Sequence, residues 1–136
     1  MIKKLSAETN ALTWFEIPAK NINRARKFYE TILDIKMETM EHDAPGEETV
    51  FFPRQKDTIM ALSGIVSGAI VKASRLKPGK NGALIYLNAS PDLQKVLDKV
   101  VQAGGQITRP RTKIPAGYIA AIEDTEGNKV ALHAAK

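Results

Sequence analysis

Few side chains in this chain could do chemistry, and Glu16 stands out among them. It lies in the stretch LTWFEIP, residues 12–18. That stretch alternates bulky apolar side chains and ends at a proline, so it reads as a short β-strand. A carboxylate on such a strand is costly to bury without a partner. It is either a hydrogen-bonded core group or a candidate general base. The chain has two histidines. His133 stands three residues from the C-terminus, and His42 sits in the acidic loop EHDAPGEE, where it is expected to face water. There is no cysteine. Disulfides, thiolate zinc sites and cysteine nucleophiles are therefore excluded, and a reducing, cytoplasmic setting is expected.

The 136 residues carry 20 basic and 15 acidic side chains, a formal charge of +5. The excess is spread over two segments: Lys72, Arg75, Lys77 and Lys80, then Arg109, Arg111 and Lys113. Neither has the interleaved aromatics or helical basic stripe of a nucleic-acid binder, so a solvated face is expected. No stretch reaches transmembrane length, and no apolar run follows the two N-terminal lysines, so neither a membrane span nor a signal peptide is expected.

These residues need elements to position them. After the first strand, Ile22, Ala25, Phe28, Tyr29 and Ile32 recur at helical spacing, and Phe28 and Tyr29 read as core. Extended segments are expected over 35–40, 49–53 and 58–66. Residues 67–82, SGAIVKASRLKPGKNG, are rich in Gly, Ser, Lys and Pro and read as a linker. A strand, ALIYLNA, and a second helix follow. In that helix Ser90 is the expected N-cap, Pro91 the first helical residue, and Gly104-Gly105 the stop. The segments QITRP, GYIAAIED and NKVALHA close the chain, with DTEGN as a turn. The order is βαβββ, linker, βαβββ. This is an α+β chain with an internal repeat: a first module over 10–66, a linker over 67–82 and a second module over 83–134. A shift of 70 residues lays Trp14 on Leu84, Glu16 on Tyr86, and IMALS on KVALH.

The stretches WFEIPAKNINRARKFYETIL, GALIYLNA, VVQAGGQI and GYIAAIEDTEGNKVALH resemble the vicinal oxygen chelate superfamily, which contains glyoxalase I, bleomycin-resistance proteins and extradiol dioxygenases. The resemblance runs from about Leu12 to Ala134. It implies that the modules form a curved mixed sheet around a cavity, with helices outside. In metal-using members, four His, Glu or Gln ligands come from the first and last strands of the two modules. Those positions fall on Trp14, about Ala61, about Leu84 and Ala131 here, and none is a metal ligand. The resemblance therefore implies a fold without its metal, and no cofactor is expected. Two residues further along each strand the side chain returns to the cavity. That layer would hold Glu16, Ser63, Tyr86 and His133, with Glu16 and His133 as a candidate catalytic pair and Trp14 and Tyr118 as further cavity walls. Arg109 and Arg111 would stand near the cavity mouth. The resulting expectation is a metal-independent small-molecule binder, working as a homodimer by resemblance. An isomerase or lyase using Glu16 as base and a ligand-free interaction module stand as alternatives.

Overall fold

The computed structural model describes residues 3–58 and 64–136. Strand β1, Trp14–Pro18, leads into helix α1, Ile22–Leu33. Asn21 caps that helix by accepting the Arg24 N–H at 3.0 Å, an N-cap role for which Asn is well suited. Its buried face is Ile22, Ala25, Phe28, Tyr29 and Ile32, as the spacing predicts. Strands β2, Glu38–Thr39, β3, Glu48–Phe51, and β4, Ser67–Lys72, complete the first module. The second module runs through β5, Tyr86–Asn88, helix α2, Leu93–Val100, β6, Gln106–Ile114, β7, Gly117–Glu123, and β8, Lys129–Ala134.

Each module forms a four-stranded mixed sheet, in the orders β1-β4-β3-β2 and β5-β8-β7-β6. In each, the first and last strands run parallel at one edge and the others pair antiparallel. The fold is thus the α+β pair of βαβββ modules that the sequence predicts. One core joins them: Phe28, Tyr29 and Ile32 from α1, Leu93, Leu97 and Val100 from α2, and Val50, Ile70, Leu87, Ile122 and Leu132 from the sheets.

The structure corrects the sequence reading in two places. The last strand of the first module is Ser67–Lys72, inside the expected linker, and the described residues of the expected strand, 58 and 64–66, are not part of the sheet. Part of the expected strand, 59–63, lies outside the described residues. The first module therefore extends past residue 66, and 67–72 is a sheet strand. The Gly-Ser composition that suggested a linker has a packing cause. Gly68 pairs with Phe15, and a Cβ added there would lie 2.7 Å from two Phe15 ring carbons. Glycine inside a strand often marks such a close approach. The second correction is at α2, where Asp92 rather than Ser90 is the N-cap and accepts the Gln94 N–H at 3.1 Å. Pro91 precedes the helix.

A polar latch fastens the modules to each other. The turn between β7 and β8 puts Glu126 under the start of α1. Its Oε1 accepts the backbone N–H groups of Lys20 and Asn21, both at 2.8 Å, and Arg24 Nη2 at 3.1 Å. Its Oε2 accepts Arg24 Nε at 2.7 Å and the Thr125 hydroxyl at 2.9 Å. Burial pushes this carboxyl up, but the donors from Arg24, Asn21, Thr125 and Lys20 outweigh it and hold the pKa at about 2. Beside it, buried Asp124 accepts the Tyr29 hydroxyl at 2.6 Å and the N–H groups of Glu126 and Asn128. Desolvation, reinforced by the Asp124 charge, raises the pKa of buried Tyr29 well above the usual phenol value, so it stays a neutral donor. Asn128 donates to the Pro18 carbonyl at 2.7 Å and accepts the Gly79 N–H at 3.1 Å. The turn that the sequence marks as DTEGN thus ties β1, α1 and the 73–85 connection to the second sheet.

Two predictions follow from this packing. Gly68→Ala is expected to cost roughly 1–3 kcal/mol by overpacking, read from the denaturant midpoint, while Gly79→Ala, with open space around it, stays within about 0.5 kcal/mol. Equal midpoints for the two variants would refute the close-approach account. Because the folded pKa of Glu126 lies below its ordinary 4.5, its stabilisation is fully present above pH 4.5 and fades as pH falls towards 2. It corresponds to about 3 kcal/mol. Glu126→Gln should therefore be markedly less stable than wild type at neutral pH, and urea titrations should show the gap closing across that acid window.

Candidate functional site

Side-chain alternation gives each sheet one face against the helices and one face away from them. On β1, Phe15 and Ile17 pack into the common core, so Trp14 and Glu16 point the other way. On β5 and β8, Leu87, Val130, Leu132 and Ala134 are core, so Tyr86, Asn88, Ala131 and His133 share the opposite face. The strand registers set the rows on those faces. Trp14 pairs with Ser67, and Glu16 with Ala69. Tyr86 pairs with Ala131, and Asn88 with His133.

The two outer faces differ. On the first, Trp14, Phe51 and Leu76 close over Ala69, Val71 and Ala73 as a small second core. Trp14 meets Phe51 edge-on, with ring centroids 6.0 Å apart. The Ser67 hydroxyl is used within the fold, donating to the Pro53 carbonyl at 2.8 Å. Glu16 sits at the rim, 3.5 Å from Arg75 Nη1. Arg75 also reaches Glu47 at 3.4 Å, and its pKa is raised chiefly by Glu47 and less by Glu16. Glu16 further lines a depression with Lys77, Asn128 and Lys129.

The second face holds an open depression of about 410 Å³ lined by Tyr86, Leu87, Asn88, Ile114, Ile119 and His133. Asn88, His133 and Ile119 are register neighbours across β5, β8 and β7. His133 Nε2 lies 2.7 Å from the Ala116 carbonyl. A carbonyl only accepts, so Nε2 carries the hydrogen, and in the neutral ring Nδ1 keeps its lone pair. Ala116 belongs to the β6–β7 turn, so that hairpin fixes the imidazole. Asn88 Oδ1 accepts the Ser90 N–H at 3.0 Å, leaving the amide Nδ2 as a donor. The Tyr86 side chain is exposed, and apolar Ile114 and Ile119 complete the wall.

The chain matches the Glyoxalase/Bleomycin resistance protein/Dioxygenase superfamily over residues 11–132. It belongs to that superfamily. The fold is similar to that of hypothetical protein SA1046 from S. aureus, at 16% identity over 98% of both chains with a TM-score of 0.61. It is similar too to a glyoxalase/bleomycin resistance protein from Albidiferax ferrireducens T118, at 16% identity, covering 90% of this chain and 97% of that one, with a TM-score of 0.63. Against glyoxalase I from Zea mays the identity is 20% and the TM-score 0.64, with 91% of this chain covering 46% of that one. No curated protein matches the chain significantly.

In metal-using members of the superfamily the first and last strands of the modules supply the ligands. The registers pair Trp14 with Ser67 in the first sheet and Tyr86 with Ala131 in the second as those strand positions here. An indole, a hydroxyl already donated to Pro53, a phenol and a methyl do not fit a divalent ion, which needs several oxygen or nitrogen donors at short range. The next row is Glu16, Ala69, Asn88 and His133. Among the described residues, no three His, Asp or Glu side chains gather around one point.

The predicted site residues therefore separate. Glu16 and His133 both face away from the helices, but no hydrogen bond or ion pair joins them: Glu16 pairs with Arg75 and His133 with Ala116. Tyr86 and His133 do line one depression. Trp14 is on the other sheet. Tyr118 packs towards the common core, with Arg111 stacked 3.5 Å over its ring, so it is not part of that wall. Ser63 and Ala61 lie outside the described residues, and β4 contributes Ser67 and Ala69 to the rows instead. Sequence reasoning missed Asn88, Ile114 and Ile119. The signal for Asn88 was present, since it stands two residues after Tyr86 on a strand. The signal for Ile119 depended on the pairing of β7 with β8. The geometry predicts that a long-range proton–nitrogen spectrum of neutral His133 shows Nε2 protonated and Nδ1 bare; the opposite tautomer would contradict the Ala116 contact.

Proposed function

We propose that this superfamily member binds a small molecule on the open face of its second sheet, without a metal, acting in the cytoplasm. The observation that carries this reading is the depression in which His133, Asn88 and Tyr86 stand beside Ile114 and Ile119. Its volume lies in the usual range of ligand sites, and a few placed polar groups on an apolar wall are what such sites use. His133 Nδ1 accepts a hydrogen bond from the ligand, Asn88 Nδ2 donates one, and the two isoleucines cover an apolar body of a few carbons. Glu16 as a general base draws no support from its surroundings, because its carboxylate is engaged by Arg75. His133 is the group on this face that could accept a proton.

A homodimer is part of the reading. Tyr86 is 54% exposed and Leu84 43% exposed, and a second copy set over this face would close the depression. The length of the maize chain, about twice this one by the coverage above, suits a unit built from two such chains.

A thermal-shift screen of small polar–apolar molecules tests the site, since a ligand raises stability by mass action. Hits are expected to weaken by about tenfold or more in His133→Ala and in Asn88→Ala, in line with the loss of one buried hydrogen bond. Unchanged affinity in both variants would rule this pocket out. Sedimentation at micromolar concentration should show the dimer, and a monomer throughout would remove that half of the proposal.

A further inference from the structure

A further depression lies apart from the His133 face and is unexplained by the reading above. It holds about 650 Å³ where the parallel strands β1 and β4 end, beside the 73–85 connection. The charged side chains that line it are all lysines: Lys20 just after β1, Lys72 at the end of β4 and Lys77 in the connection. All three are exposed and so open to a ligand. Lys72 stands 3.5 Å from Glu48. Among the described residues, no ion pair includes Lys20 or Lys77. Glu126, which holds the Lys20 N–H, is taken up by Arg24, and Glu47, next to Gly46 of the lining, by Arg75. A cleft lined by one sign of charge concentrates the opposite ion.

Between the lysines the lining is apolar and held in place. The Leu76 N–H donates to the Ala73 carbonyl at 3.1 Å, and Leu76 packs, half-buried, against the small core of Ala69, Val71 and Ala73. Pro78 restricts the backbone just beyond Lys77. The Lys20 N–H is fixed by Glu126 Oε1 at 2.8 Å. Lysine is a compact point charge that suits a phosphate, whereas a planar carboxylate is best met by the arginine fork. We propose that this depression binds a small organic phosphate. Lys20 and Lys77 meet its phosphate group, Lys72 adds to the positive field, and its apolar body lies on Leu76, Ala73 and Pro78. The volume is within the usual range of ligand sites. The site shares no lining residue with the His133 depression.

The experiment titrates the isotope-labelled full chain with naphthyl phosphate and follows the backbone amides, with naphthol and inorganic phosphate as the two halves of the probe. Saturable shifts are expected at Lys20, Ser74 and Lys77, with an affinity that falls as salt is added. Naphthol and inorganic phosphate should each bind about tenfold more weakly or worse. Lys20→Gln and Lys77→Gln should each lose about three- to fivefold, the scale of an exposed charge pair, and the double variant about tenfold or more. Lys27→Gln, which alters an exposed lysine of α1 outside the lining, should bind like wild type. The proposal is overturned if naphthyl phosphate gives no saturable shifts or moves only amides elsewhere. It is overturned equally if naphthol or inorganic phosphate binds as well as the intact probe, or if the double variant keeps full affinity. A loss in Lys27→Gln as large as in Lys20→Gln would also overturn it, since the effect would then be one of net charge.

Discussion

The carboxylate of Glu126 is the constraint on which the arrangement of this protein depends. It gathers two backbone N–H groups at the entry to α1, the Arg24 guanidinium and the Thr125 hydroxyl. A buried acceptor with this many donors stays charged and holds each donor in place. Asp124 and Asn128 extend the same polar turn to Tyr29, Pro18 and Gly79. The apolar core presses the two modules together, but contact of that kind is non-directional. The turn fixes where β1 ends, where α1 begins and how both sit against the second sheet. From that follows which side chains reach the outer faces.

The two modules then diverge in what they do with equivalent faces. The first fills its face with Trp14, Phe51 and Leu76 over alanines and a valine. The second keeps its face open and lines it with Tyr86, Asn88, His133 and two isoleucines. A repeat with the same topology twice thus yields one packed surface and one open surface. Loss of the superfamily's metal-ligand residue types is coherent with this division. The first face has been given to packing, and the second has been left with an imidazole held by a backbone carbonyl and pointed by a hairpin turn. Glu16, the residue that looked most reactive, serves as a rim charge that holds Arg75.

Much of the fold could be read from the chain. The apolar spacing of α1, the strand before it, the DTEGN turn and the last two strands are local signals, and local signals survive folding. Strand β4 was hidden because Gly68 answers a tertiary demand, the approach of Phe15, that composition alone reports as flexibility. The repeat was visible, but its register was not. The first module runs from Phe52 to Val66 between its last two strands, where the second needs only Asp124 to Asn128, so one constant shift cannot align both ends. That error moved Ser63 into the cavity row in place of Ala69, and Tyr86 in place of Asn88. His133 and Tyr86 came from strand alternation and do line one depression. The separation of Glu16 from His133 depends on distances that only the folded chain defines.

The central claim is that the second sheet's outer face, around His133, is where this protein receives a small molecule. Backbone amide NMR with a library of small polar–apolar molecules tests it most directly. The account predicts shifts that cluster at Asn88, Ala116, Ile119 and His133 for at least one ligand class, in the range of fast to intermediate exchange. Ligands that bind saturably while leaving all four of those amides unmoved would contradict it.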